Sequence, residues 1–252
     1  MDGSTGIEHG LRNLDGPVRA AVAAYWQARE AQLERQRQQG GSDQGARSAV
    51  TGGRQMDGFI GLVKTLLHRC GIPERCIFNR TRLELPGFFR PTKEWDLLVV
   101  QDNQLIIALE AKSQVGPSFG NNFNNRTEEA MGSALDLWTA FREGALNPTV
   151  SPWLGYFFLL EECPASRRPV RVVEPHFPVL PEFRDASYAV RYELFCRKLV
   201  RERHYNAAAF MLSPREAGRA GAYTEPAADL TLDLFARSLS AHALAFGQRE
   251  GS

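Results

Sequence analysis

Two apolar runs joined by four polar residues constrain this chain more than any other feature. Glu94–Val100 (EWDLLVV) is followed by Gln101-Asp102-Asn103-Gln104, and then by Leu105–Ser113 (LIIALEAKS). Short aliphatic runs bounded by Asp and Asn read as two strands of a hairpin. The second run is nearly all apolar, as expected of a strand covered on both faces. Glu110 and Lys112 stand inside it. Residues two apart on a strand share a face, so a carboxylate and an ammonium lie on one side of a buried strand. Charges there are costly unless they pair or serve a ligand. Asp96 sits in the preceding run, also among apolar neighbours.

Whether Asp96 joins that pair depends on register. Across an antiparallel pair the numbers of facing residues sum to a constant. Asp96 and Glu110 share a side only if that sum is even. An odd-numbered loop such as Asp102–Gln104 satisfies this. A two-residue turn at Asp102-Asn103 puts the two acids on opposite faces unless a bulge intervenes. Both registers are compatible with the sequence.

The rest of the chain supplies the frame. Its 252 residues suit one large domain or two small ones, with 43% apolar and 23% charged residues. Nothing approaches the ~20 apolar residues of a membrane span, and the start carries no signal-peptide pattern, so a cytoplasmic protein is expected. Cys70, Cys76, Cys163 and Cys196 form no CxxC pair and read as reduced thiols. Residues 1–16 read as a flexible leader. The remainder, 17–252, reads as a single domain that opens with a helix from Pro17 through Leu33. A Gln- and Gly-rich mobile loop near 34–50 interrupts it. Met56, Phe59, Ile60, Val63, Leu66, Leu67 and Cys70 form the stripe of a second helix.

Ile77–Leu85 is a short extended piece. After the hairpin come a Gly- and Asn-rich loop (Val115–Asn125), a helix from about Arg126 to Glu143 and a buried strand, Trp153–Leu160. A helical crossover between those strands favours parallel pairing. A helix near Ser187–His204, a strand at Ala207–Leu212 and a helix at Asp229–Phe246 complete the pattern. The fold class is therefore α/β or α+β, a central mixed β-sheet flanked by helices.

Net charge is only +1, so no large basic field marks a nucleic-acid partner. Of 30 basic residues just four are Lys, at 64, 93, 112 and 198. The Arg excess fits a GC-rich coding sequence, or forked recognition of phosphate and guanine. Between Ala165 and Arg219 eleven basic residues face six acidic ones, either a phosphate-binding surface or a solvated face.

Two carboxylates converging at a sheet edge make a site for a hard divalent ion such as Mg²⁺. Lys112 would then contact the attacking water or the phosphate. Such an ion polarises a phosphoryl oxygen and lowers the pKa of a bound water, which describes phosphodiester hydrolysis. An acid-x-Lys tripeptide alone is a weak signal, and a structural Glu–Lys pair at a strand end is the other reading. His9, His68, His176 and His242 show no ligand spacing.

The segment EWDLLVV–turn–LIIALEAKSQVGPSFGNNFNNRTEEAMGSALDLW, with TGGRQMDGFIGLV upstream, resembles the PD-(D/E)xK nuclease core. More narrowly, it resembles the XhoI family of type II restriction endonucleases, over roughly Val18–Phe246. Trp95 stands where the motif usually has Pro. The resemblance implies that Asp96 and Glu110 bind Mg²⁺ and that Lys112 assists the nucleophilic water. It makes Asp57, ahead of the second helix's stripe, a candidate additional metal ligand, although an Asp there also suits a helix cap.

The resemblance further implies cleavage of double-stranded DNA at CTCGAG, after the first C, leaving 5′ overhangs. A palindrome implies a two-fold homodimer, and the host needs a cognate methyltransferase. Asn121, Asn122, Asn124, Asn125 and Arg126 follow the catalytic strand and are candidates to read bases; a turn and helix cap are the alternative. Other readings are a repair or recombination nuclease on the same core, a non-catalytic DNA-binding protein, and a metabolic hydrolase.

Overall fold

The computed structural model describes residues 14–38, 54–147 and 150–247. Its helices are α1 (Asp15–Gln38), α2 (Asp57–Arg69), α3 (Phe119–Arg142), α4 (Pro164–Arg167), α5 (Tyr188–Arg201), α6 (Arg215–Gly218) and α7 (Leu232–Ala243). The main sheet holds β1 (Ile77–Phe78), β4 (Leu97–Gln101), β5 (Gln104–Gln114), β6 (Trp153–Glu161) and β7 (Ala207–Ser213), in the order β1-β4-β5-β6-β7. A separate ribbon pairs β2 (Glu84–Pro86) with β3 (Thr92–Glu94). Strands β1, β4 and β5 are antiparallel to their neighbours, whereas β5, β6 and β7 run parallel. The parallel pairs follow from the helical crossovers α3 and α5.

The sheet separates two cores. On the first face α1, α2 and α7 pack against Leu97, Val99, Leu109, Ala111 and Phe157. On the second, α3 and α5 pack against Leu98, Ala108, Tyr156, Phe158 and Phe210. This is the expected mixed sheet between helical layers, consistent with a restriction-endonuclease-like core. All four cysteines are free. No helix among the described residues is long and apolar enough to cross a membrane.

Three elements depart from the sequence reading. Helix α1 begins at Asp15 and continues through Gln38, into the segment expected as a loop. The residues there, Glu, Arg and Gln, are good helix formers. Residues 1–13 and 39–53, covering most of the expected leader and loop, lie outside the described residues. Helix α3 begins at Phe119, so Asn121–Asn125 are helical rather than a loop. Packing overrides the weak helix propensity of Asn here: Phe119 stacks on Tyr188 at 5.8 Å, and Phe123 meets the Tyr192 ring edge-on at 5.0 Å. Finally, Glu94–Val100 is not one strand. Glu94 belongs to the ribbon and β4 starts at Leu97. Asp96 sits at the break, where the Trp95 amide bonds Leu83 O at 2.9 Å.

The β4–β5 hairpin resolves the register. Its turn is the two-residue one, with Asp102 and Asn103 at φ 50° and 60°, the left-handed conformation such hairpins require. Gln101 faces Gln104 and Val100 faces Leu105, but Val99 faces Ile107. Ile106 is the extra residue of a β-bulge. Both Ile106 and Ile107 consequently join the first core, a break in the usual alternation. Leu98 faces Ala108 and Leu97 faces Leu109, so one more step brings Asp96 opposite Glu110. Without the bulge, Asp96 would face Leu109 and Glu110 would lie across the sheet.

A bulge leaves ladder groups without a strand partner, and buried ones are costly unless satisfied. His242 of α7 places Nε2 at 3.1 Å from the Ile106 carbonyl. A carbonyl only accepts, so Nε2 carries the proton. His242→Phe keeps a ring but removes this donor. It is expected to lower unfolding stability by about 1–3 kcal/mol, read by urea denaturation; an unchanged midpoint would remove His242 from the support of the bulge.

The β2–β3 ribbon is fastened to α3 by Asp136, whose side chain is buried. Its Oδ1 accepts from the Phe88 and Phe89 amides at 2.6 and 2.7 Å, and Oδ2 from Arg90 Nε at 2.7 Å. A Cβ on Gly87 would come within 2.3 Å of Asp136 Oδ2, so the clamp needs glycine there. Burial alone would raise the Asp136 carboxyl, but the Phe89 amide, Arg90 and the Phe88 amide hold it below its ordinary value. Its stabilisation is therefore complete above the ordinary value of 3.8 and is lost as pH falls through the lower folded value. Asp136→Asn should cost about 1–3 kcal/mol at neutral pH, with the gap from wild type closing in acid when the two are compared by denaturant unfolding.

Candidate active site

Three side chains from adjoining segments meet on the second face. Lys112 Nζ stands 3.1 Å from Glu110 Oε1 and 3.3 Å from Asp96 Oδ2. Asp96 is held by its neighbour strand: because β4 begins only at Leu97, the Ala111 amide lies beyond the ladder, and Asp96 Oδ2 accepts from it at 2.8 Å. Glu110 is only 2% exposed. Its Oε1 also receives Lys93 Nζ of β3, at 3.2 Å. The Tyr205 hydroxyl lies 3.2 Å from Glu110 Oε2 and 3.1 Å from the Ala130 carbonyl of α3, sharing its proton between them.

The charge states follow from these contacts. Burial alone would raise the Glu110 carboxyl; the ammoniums of Lys112 and Lys93 outweigh it and hold the group below its ordinary value. Burial opposes the Lys112 charge, but Glu110 and Asp96 overcome it and raise the ammonium. For Tyr205, burial and then the Glu110 charge push the phenol well up, so it remains a donor. Glu110 and Lys112 are thus both ionised at neutral pH, in surroundings where each needs the other.

The other candidates separate. Arg126 of α3 lies close enough to Lys112 for its charge to oppose that ammonium, and it pairs with Glu129 at 2.5 Å. Asn122 is half-buried on the same side of the helix, while Asn121, Asn124 and Asn125 are exposed. Asp57 opens α2 and is exposed; its helix packs on the first face of the sheet. No three His, Cys, Asp or Glu side chains gather into a metal-binding group among the described residues, so Asp57 is not drawn in beside Asp96 and Glu110. Mg²⁺ is commonly held by one or two carboxylates together with water and phosphate. Two hard-oxygen donors bridged by one ammonium fit such an ion without a third protein acid.

Comparison with known proteins settles the family. The family model described as "Restriction endonuclease XhoI" matches residues 35–225. The chain belongs to the XhoI family of restriction endonucleases. It is 53% identical over 211 residues to the type II restriction enzyme BstVI of Geobacillus stearothermophilus, covering 82% of this chain and 94% of that one. Identity to the type II restriction enzyme XhoI of Xanthomonas vasicola is 50% over 192 residues, covering 75% and 77%. Identity to AbrI of Azospirillum brasilense is 48% over 168 residues, covering 66% and 75%. No solved structure matches the chain. As a member of this family it is a type II site-specific deoxyribonuclease.

Three residues at or beside this candidate site escaped the sequence reading. Lys93 was hidden because its neighbours Thr92 and Glu94 are exposed and β3 is only three residues long. Tyr205 lies 95 positions from Glu110, a pairing no local pattern can show. Gln114 continues the period-two line of Glu110 and Lys112 on β5 and hydrogen-bonds Tyr192 of α5; its spacing was the signal available. Tyr205→Phe removes a hydrogen bond to a buried carboxylate while keeping the ring. The variant should lose about 1–3 kcal/mol of stability and turn over more slowly, with DNA affinity unchanged. Wild-type stability and rate together would show that Tyr205 does not position Glu110.

Proposed function

We propose that this chain is a Mg²⁺-dependent endonuclease that cleaves double-stranded DNA at a palindromic site within a restriction–modification system. The resemblance to its family points to CTCGAG, cut after the first C to leave 5′ overhangs. The observation that carries the catalytic reading is the convergence of Asp96, Glu110 and Lys112 on one sheet face, made possible by the bulge at Ile106. The relatives named as type II restriction enzymes support the substrate.

In this reading Asp96 and Glu110 hold the ion, which when bound polarises the scissile phosphoryl oxygen and acidifies a water. Asp96 is oriented by the Ala111 amide and Glu110 by Tyr205. The Lys112 ammonium, anchored between the two acids, orients the attacking water and balances charge building on the phosphate. Arg126 and Asn122, on the inner side of α3, face the phosphate or base edges, with the exposed Asn121, Asn124 and Asn125 one helix face further out. A two-fold homodimer places one such site on each strand of a palindrome, and a cognate methyltransferase protects the host's own sites.

Digestion of a plasmid of known sequence with Mg²⁺, followed by sequencing of the fragment ends, tests this directly. Discrete bands ending within CTCGAG are expected. A smear would point instead to a repair-type nuclease, and intact plasmid to a protein without this chemistry. Lys112→Ala should abolish cutting while specific binding survives, measured by mobility shift in Ca²⁺. That binding should weaken by roughly 10³-fold or more between low and moderate salt.

A further inference from the structure

Glu110 carries one more cation than its charge requires. Lys112 already stands 3.1 Å from Oε1, yet Lys93 stands 3.2 Å from the same oxygen. The Lys93 side chain is only 12% exposed. Its ammonium also donates to the Glu94 carbonyl at 3.0 Å and sits 4.2 Å from the centre of the Trp95 ring. Lysine is rarely buried so deeply, and two ammoniums on one oxygen repel each other. The chain has only four lysines, and two of them meet here. With Asp96 the cluster holds two negative and two positive charges, so it is neutral without any ion.

A divalent cation arriving between Asp96 and Glu110 would meet two ammoniums already in place. Lys112 cannot yield, since it bridges both carboxylates. Of the two carboxylates Lys93 pairs only with Glu110, and it reaches it from a three-residue strand, with the Glu94 carbonyl and the Trp95 ring as its other contacts. Its four-carbon stem gives the ammonium room to swing.

We propose that Lys93 is a built-in counterion that occupies the Glu110 oxygen in the metal-free enzyme and competes with the divalent ion for it. Lys93 thereby sets the metal concentration at which the site loads. It is a positioning residue, acting through Glu110. The inference rests on the reading of Asp96 and Glu110 as metal-binding carboxylates.

The test uses the full chain as wild type, Lys93→Met, Lys93→Arg and Glu110→Gln. Metal binding is measured by calorimetric titration with Mg²⁺ and with Ca²⁺, and thermal unfolding is followed in EDTA and in saturating Ca²⁺. Lys93→Met keeps the stem over Trp95 and removes the charge. It should bind the ion about tenfold or more tightly than wild type, melt earlier in EDTA, and gain more from Ca²⁺ than wild type does. Lys93→Arg retains a cation and should bind the ion no more tightly than wild type, which keeps the test open if Lys93→Met does not fold. Unchanged or weaker affinity in Lys93→Met, or tighter affinity in Lys93→Arg, overturns the proposal. Wild-type binding that Glu110→Gln abolishes establishes the metal reading separately. Absence of any such binding in wild type would sink both.

Discussion

Glu110 holds a negative charge at a point the solvent scarcely touches, and most of the local architecture can be traced to that. A buried carboxylate left alone would take up a proton or destabilise the fold by several kcal/mol. Here it stays ionised because Lys112, Lys93 and Tyr205 surround it. Each of those partners arrives on a different element: β5 itself, the β2–β3 ribbon, and the segment ahead of β7. The ribbon in turn is held by Asp136 on α3. Satisfying one charge thus fixes the relative positions of three parts of the chain. An arrangement determined from several directions is what a preorganised site needs, since its charges must already point where charge will develop.

The other determinant is one extra residue. A two-residue turn and an unbroken ladder would have been the simplest hairpin, and it would have separated Asp96 from Glu110. The bulge at Ile106 reverses the parity of everything beyond it. Two consecutive isoleucines then face the same core, which is tolerable because both fill it. The Ile106 carbonyl meets His242 Nε2 from α7, on the face away from the site, at 3.1 Å. The convergence of Asp96, Glu110 and Lys112 on one face is thus supported by a hydrogen bond on the other.

Much of this was legible in the residues. The apolar runs, the Asp-Asn turn and the single crossover helix lead to the right sheet order around β5. The period-two spacing of Glu110 and Lys112 leads to the right face. What could not be read was the parity between strands, because a bulge has no local signature when the residue it inserts is another isoleucine. The start of α3 differs from the sequence expectation for a related reason. Four asparagines favour turns by propensity, but Phe119 and Phe123, spaced one helical turn apart, bury against Tyr188 and Tyr192 from a distant helix. Lys93 and Tyr205 become visible only when the ribbon and β7 are in place, since neither lies in a pattern that sets it apart from surface or core residues of its type.

The balance of arginine and lysine acquires a physical sense in this light. Five of the eleven basic residues between Ala165 and Arg219 are neutralised in place: Arg167 pairs with Glu162, Arg197 with Glu193 and Asp229, Lys198 with Glu202, Arg215 with Glu161, and Arg219 with Glu30. Several of those acids lie outside the stretch, so a charge count by sequence window overstates the field that remains. Four of these five cations are arginines, whose planar fork suits fixed pairing. At Glu110 the requirement differs. Two cations approach one oxygen, with Asp96 alongside. A compact ammonium on a flexible stem meets that condition, and a lysine that meets the carboxylate through one oxygen at 3.2 Å can be exchanged for another cation more readily than a forked pair.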